Sequence, residues 1–217
     1  MQVLIDKVEF EALKKLVGGI SSVKTKLRFI KFDFDAKQVV ATDGLILVVL
    51  SDRLPNDTAR KELGVKEDLL IPLSQLKGFD GLGRVEIKTL YYLSETNPDT
   101  GKVMKKPVPV LTAYNLNGTD YVEMFDFVSG ENDYINYEEM LDNSTKSTQN
   151  ALFVEEIPEY GVTRFLPRME DGLRKLDDKA NIKLTKEFIV SEGFLDHRNY
   201  RVIAKTPAKH DVGSLGN

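Results

Sequence analysis

The chain of 217 residues has no cysteine. That absence excludes disulfides, thiol nucleophiles and cysteine-bound zinc, and it fits a reducing compartment. Histidine is almost as scarce: only His197 and His210 occur, so a multi-histidine metal centre is excluded and no metal site is expected. No apolar stretch approaches the about 18 residues a membrane helix needs, and no charged-then-apolar leader opens the chain, so a cytoplasmic protein is expected. Neither sign of charge dominates. The 30 basic and 34 acidic residues leave a net charge of −4. A protein that grips nucleic acid over its whole surface is usually basic. Any DNA contact must therefore be local, or rest on topology rather than on affinity.

What is present is ordinary soluble material, 41% hydrophobic and 29% charged, long enough to bury a substantial core. Residues 2–5 read as a short strand. Asp6 then N-caps a helix, with Glu9 three residues on as an approximate capping box. Phe10, Leu13, Leu16, Val17 and Ile20 recur at helical spacing, while Lys7, Glu11, Lys14 and Lys15 form a polar side. Three strands follow, at 27–34, 38–42 and 45–50. The last two, within VVATDGLILVVL, are joined by Asp43-Gly44, a pair suited to a two-residue hairpin with positive φ at both positions.

The plan then repeats. A polar connection over 53–67 precedes a strand at 68–72, a short helix at 73–79 and strands at 84–90, 108–115 and 121–128. Residues 94–107, SETNPDTGKVMKKP, are expected to form a mobile hairpin loop. Residues 129–150 read as a connector that ends in low-complexity polar sequence. A shorter third pass has a helix carrying Phe165, Leu166, Met169, Leu173 and Leu176, and strands at 181–184, 188–191 and 200–204. The expected organisation is therefore a domain over 1–142, a polar linker at 143–150, a partial second domain at 151–205 and a loose tail at 206–217.

The stretch LRFIKFDFDAKQVVATDGLILVVLSD, in which a VATDG-type strand follows an amphipathic helix, resembles the bacterial replicative sliding clamps, the beta subunit of DNA polymerase III. DLLIPLSQLKGF, GRVEIKT and FDFVSGENDYINYEEML are similar to later clamp segments and fall in the family's order. The resemblance covers roughly residues 1–142, one clamp domain, in a short and divergent form of the kind a virus or mobile element would carry. It implies an α+β, DNA-clamp-like fold of repeated strand–helix–antiparallel-strand units, with helices backing curved sheets. It also implies a non-enzymatic processivity factor without a cofactor, a homo-oligomeric dimer or trimer ring that encircles duplex DNA and tethers a polymerase or other replication protein. The DNA-facing residues it implies are Lys7, Lys14 and Lys15 from the first helix and Lys77 from the second. Arg164, Arg168, Arg174 and Lys175 come from the third, all contacting phosphates non-specifically. The bland reading of the same residues is the solvated face of an amphipathic helix, since Glu11, Asp171 and Asp178 share those faces.

Two other functions compete. A protein could keep the clamp fold, form no ring and bind a replication partner. The enzyme alternative rests on FIKFDFDA, where Asp33 and Asp35 have the Asp-x-Asp spacing of magnesium-dependent haloacid-dehalogenase-like phosphatases. That motif sits on a parallel strand feeding a helix, whereas here another strand follows, and turn carboxylates account for Asp33, Asp35 and Asp43. Gly101-Lys102 lacks the spacing of a phosphate-binding loop, and His197 has no nucleophile at a telling distance.

Overall fold

The computed structural model describes residues 2–17, 29–52, 54–65, 68–72, 82–115, 117–119, 121–124, 128–129, 134–149, 159–177, 180–185, 187–195 and 198–205. The chain is mixed α+β, and among the described residues every strand pairing, in two sheets, is antiparallel.

Strand β1 (Gln2–Asp6) runs directly into helix α1 (Lys7–Val17). The capping box is complete: the Glu9 N–H donates to Asp6 Oδ1 and the Asp6 N–H donates to Glu9 Oε2, both at 2.9 Å. Two N–H groups that the helix start would leave unpaired are thereby satisfied. Strands β2 (Phe29–Asp33), β3 (Gln38–Thr42) and β4 (Ile46–Ser51) follow as a meander, then helix α2 (Asp57–Leu63) and strand β5 (Leu69–Pro72). Helix α2 lies inside the segment expected as a polar connection. Its Asn56 side chain accepts from the Ala59 N–H, and Gly64 ends it at φ 75°. The short helix expected at 73–79 lies outside the described residues.

Strands β6 (Leu82–Thr96) and β7 (Val103–Asn115) are much longer than expected. Most of the anticipated loop at 94–107 is strand, and the turn spans only residues 97–102. Strands β8 (Tyr121–Met124) and β9 (Val128–Ser129) divide what the sequence suggested was one strand. Residues 138–149 of the connector, including most of the linker placed at 143–150, form helix α3 (Glu138–Gln149). Helix α4 (Glu159–Leu176) leads to β10 (Asn181–Leu184), β11 (Phe188–Leu195) and β12 (Arg198–Lys205).

The strands are exchanged between sheets. β1 does not join its sequence neighbours but pairs with β6, giving the sheet β1-β6-β7-β8. β5 in turn pairs with β2, in the larger sheet β10-β11-β12-β4-β3-β2-β5-β9. The segment expected as a separate partial domain is thus part of this sheet, through β12 on β4 from Tyr200–Leu50 to Ala204–Ile46. A boundary at 143–150 does not divide the hydrogen-bonded ladder.

The large sheet is buried on both faces, which explains why β4 is apolar at consecutive positions, buried from Ile46 to Leu50, instead of alternating. One face carries Val39, Ala41, Val48, Leu50 and Val202 against α1 (Phe10, Leu13, Leu16) and α4 (Met169, Leu173, Leu176). The other carries Val40, Leu47, Val49, Val190 and Ile203 under Tyr137, Met140 and Leu141. Gly193 lies opposite Tyr200, and a Cβ there would stand 2.4 Å from the Tyr200 hydroxyl, so the glycine makes room for the ring.

Candidate nucleic-acid interface

All the basic residues singled out in the sequence except Lys77 fall on two helices that pack against one another. A Cβ on Gly172 of α4 would lie 2.3 Å from Leu16 Cγ of α1, so the glycine sets how closely the helices approach. Lys7 and Lys15 on α1 and Arg174 and Lys175 on α4 are exposed. Lys14, Lys15, Arg174 and Lys175 all occupy the last turn of their helices, where positive charge also meets the negative end of the helix dipole.

Two of the candidates are engaged within the protein. Lys14 Nζ is 2.6 Å from Glu11 Oε1 and lies over the Phe10 ring. Arg168 Nη2 is 2.7 Å from Asp43 Oδ2, so this guanidinium ties α4 to the β3–β4 turn and is only partly free for phosphate. Arg164 belongs to α4 by its backbone, and Lys77 lies outside the described residues. Glu170 and Asp171 are exposed on the same helix and dilute its positive field.

The Asp43-Gly44 turn departs from a two-residue hairpin. Only Gly44 has positive φ, at 86°, and the turn spans three residues. Asp43 stabilises it by accepting from the N–H groups of Leu45 and Ile46 through Oδ1, which leaves Oδ2 for Arg168. ATDG thus closes the turn and supplies a helix anchor in one residue.

Asp33 and Asp35 do not come together as a phosphatase pair. Asp33 ends strand β2, which is antiparallel to both neighbours, β3 and β5, and Asp35 lies in the turn that follows. Asp33 accepts from Lys31 Nζ at 2.7 Å, from the Ala36 N–H at 2.9 Å and from the Tyr137 hydroxyl at 2.7 Å. Asp68 also pairs with Lys31, at 3.0 Å. Burial by itself would push the Asp33 carboxyl up, but the hydrogen bonds from Lys31, Ala36 and Tyr137 hold it below the usual carboxylate range. Burial likewise opposes the charge on Lys31, and its two carboxylate partners outweigh it and raise its pKa. Burial first, and the bond to Asp33 second, push the Tyr137 hydroxyl far up, so it stays a neutral donor. Asp35 points to solvent and pairs with Arg60. Among the described residues no group of three or more acidic or histidine side chains is placed to hold a metal.

Sequence reasoning missed this network and one other. Arg198 bonds both members of the α1 capping box, Asp6 Oδ2 at 3.1 Å and Glu9, and so fastens β12 to the start of α1. It also missed the strap over the sheet face opposite α1 and α4, where the Tyr134 hydroxyl donates to Val40 O at 3.2 Å and Tyr137 reaches Asp33. Beside α3 this face opens into a cavity of 290 Å³ lined by Gln38, Val49, Leu141, Asn199 and Arg201. The i, i+2 spacing of Lys31 and Asp33 was the one visible signal, since alternate strand residues share a face. Asp68, Tyr137 and Arg198 are too distant in sequence for any spacing rule.

No family model matches the chain, and no curated protein matches it. Among the described residues no helix is long and apolar enough to cross a membrane.

Proposed function

We propose that the protein is a sliding-clamp-like processivity factor, a non-enzymatic homo-oligomeric ring that encircles duplex DNA and holds a polymerase or another replication protein on it. The observation that carries this reading is the exchange of first strands. β1-α1-β2-β3-β4 gives β1 to the sheet of β6–β8, while β5 is given to the sheet of β2–β4. Such an exchange ties two like units into one, as expected for the repeated clamp unit. The large antiparallel sheet with α1 and α4 side by side on one face also suits a ring wall, with sheet outside and helices inside. Lys7, Lys15, Arg174 and Lys175 remain as the residues to face phosphates, a small local charge within a chain of net −4. Weak, non-specific contact is what sliding requires.

The test is retention. Protein loaded with its polymerase on nicked circular DNA is expected to stay bound through gel filtration in moderate salt, and to be lost once the circle is linearised. The Lys7→Glu, Lys15→Glu, Arg174→Glu, Lys175→Glu variant is expected to lose both loading and polymerase processivity. Equal recovery from circular and linear DNA overturns the topological reading. A monomer by light scattering that still binds a replication protein favours the ringless binder.

A further inference from the structure

The smaller sheet narrows to two strands at one end. Among the described residues β1 pairs with β6 at residues 84–87 and β8 pairs with β7 at residues 111–114, yet the β6–β7 ladder continues to the pair Thr96–Val103. Past the irregularity at Thr89–Tyr91 it forms a two-stranded ribbon. The turn at its tip is well bonded: the Asn97 N–H donates to Lys102 O and the Gly101 N–H to Asn97 O, both at 2.9 Å, and the Asn97 side chain accepts from Asp99 and Thr100. Val103 is 67% exposed and Met104 51% exposed. Consecutive strand residues point to opposite faces, so both faces of the ribbon's end meet solvent. A two-stranded ribbon alone is marginal in water.

Its two edges differ. The Asn97 N–H points across to Lys102, so by alternation the N–H groups of Leu93 and Glu95 also point inward and those of Tyr92, Ser94 and Thr96 point outward. On β7, Pro107 stands opposite Tyr92, and a further proline, Pro109, follows two residues on. Proline has no N–H, and in a ladder it sits where that group would face out, so the β7 edge is blunted. The β6 edge keeps three outward donors, and among the described residues no strand pairs with it beyond residue 87.

We propose that two copies of the chain associate through this edge, β6 against β6 in antiparallel fashion about a two-fold axis at Ser94. Outward groups must meet outward groups, which sets Ser94 opposite Ser94 of the second copy and Tyr92 opposite its Thr96. The slot between the irregularity at Thr89–Tyr91 and the turn at Asn97 has the same length in both copies. Each edge therefore fills the other and leaves a four-stranded β7-β6-β6-β7 ribbon with proline-blunted outer strands. The proposal does not rest on the clamp reading, since it uses only the β6–β7 register and its edge donors.

Light scattering over a concentration series tests it on the full chain and on Ser94→Pro, which removes the outward donor at the axis and leaves the bonds to β7 in place. The wild type is expected at twice the mass of Ser94→Pro, whose association constant falls at least about 100-fold with the two central hydrogen bonds lost. In a chain without cysteine, Ser94→Cys is expected to oxidise to a covalent dimer, since directly opposed residues there have Cα atoms about 5.5 Å apart. Thr119→Cys, exposed on the loop after β7, is expected to stay monomeric on the same gel. Equal masses for wild type and Ser94→Pro overturn the proposal, and so does Ser94→Cys that fails to cross-link at concentrations where the wild type is associated.

Discussion

At the scale of single residues the most consequential side chain is Asp33. It lies on the face of the large sheet that Tyr137 and α3 cover, with a lysine, a backbone N–H and a tyrosine hydroxyl spending its lone pairs. Asp33→Asn leaves Lys31 with Asp68 alone and is expected to lower stability by roughly 2–4 kcal/mol at neutral pH, as for a buried pair broken on one side. Because the folded pKa of Asp33 is depressed, its contribution is present above the ordinary carboxylate value near about 4 and is lost as pH falls through the folded value. The wild type should therefore lose stability below about pH 4, and Asp33→Asn should show a flatter acid limb. Urea unfolding at pH 7 and at pH 3 measures both. A variant as stable as the wild type at pH 7 would mean that the network closes without its carboxylate.

At the scale of elements the contact between α1 and α4 decides how the basic residues are grouped. Gly172 lies inside α4, one turn before its C-terminal end, where alanine is ordinarily the better helix former by about 1 kcal/mol. The 2.3 Å approach to Leu16 reverses that sign. Gly172→Ala is expected to destabilise the protein by about 1–3 kcal/mol, the range for overpacking a core. Combined with Leu16→Ala it should cost less than the sum of the two single changes, a coupling that a double-mutant cycle by thermal unfolding reads directly. Additive losses would place the helices farther apart than the structure has them. The same two helices were legible in the sequence, because periodic apolar residues and a capping pair lie within a few positions of one another. That α4 lies on α1 was not, because a lone glycine in a helix says nothing of which neighbour it admits.

At the scale of the whole molecule the segment from residue 151 onward is structural rather than appended. β12 covers the β4 edge, and Met169, Leu173 and Leu176 complete the core around α1. A chain ending at residue 150 would bare both an apolar strand edge and an apolar helix face. Such a fragment is expected to be aggregated, with most of it in the pellet on expression and no cooperative thermal transition in what remains. A soluble, cooperatively unfolding fragment would restore the expected division into two domains. The β6–β7 ribbon is the converse case: among the described residues no strand pairs with the outer edge of β6 beyond residue 87, although the α2 C-cap Gly64 packs against Pro107 of β7.

By itself the sequence determined the local structure: the capping box at Asp6 and Glu9, the meander through β2, β3 and β4, and the absence of metal-binding cysteine and histidine clusters. Each of these rests on interactions spanning a handful of residues, where spacing and residue type suffice. Strand length in β6 and β7, the helix within 138–149 and the membership of β10–β12 in the large sheet were decided only by the tertiary structure. In the first two, polar or proline-bearing sequence is held in regular structure; in the third, strands legible in the sequence join a sheet whose other members lie far along the chain. Asp43 joins the two levels, a turn residue by its neighbours Leu45 and Ile46 and a helix anchor by Arg168, 125 positions away. Ion pairs and edge hydrogen bonds follow distance in space, and no periodicity in the chain encodes it.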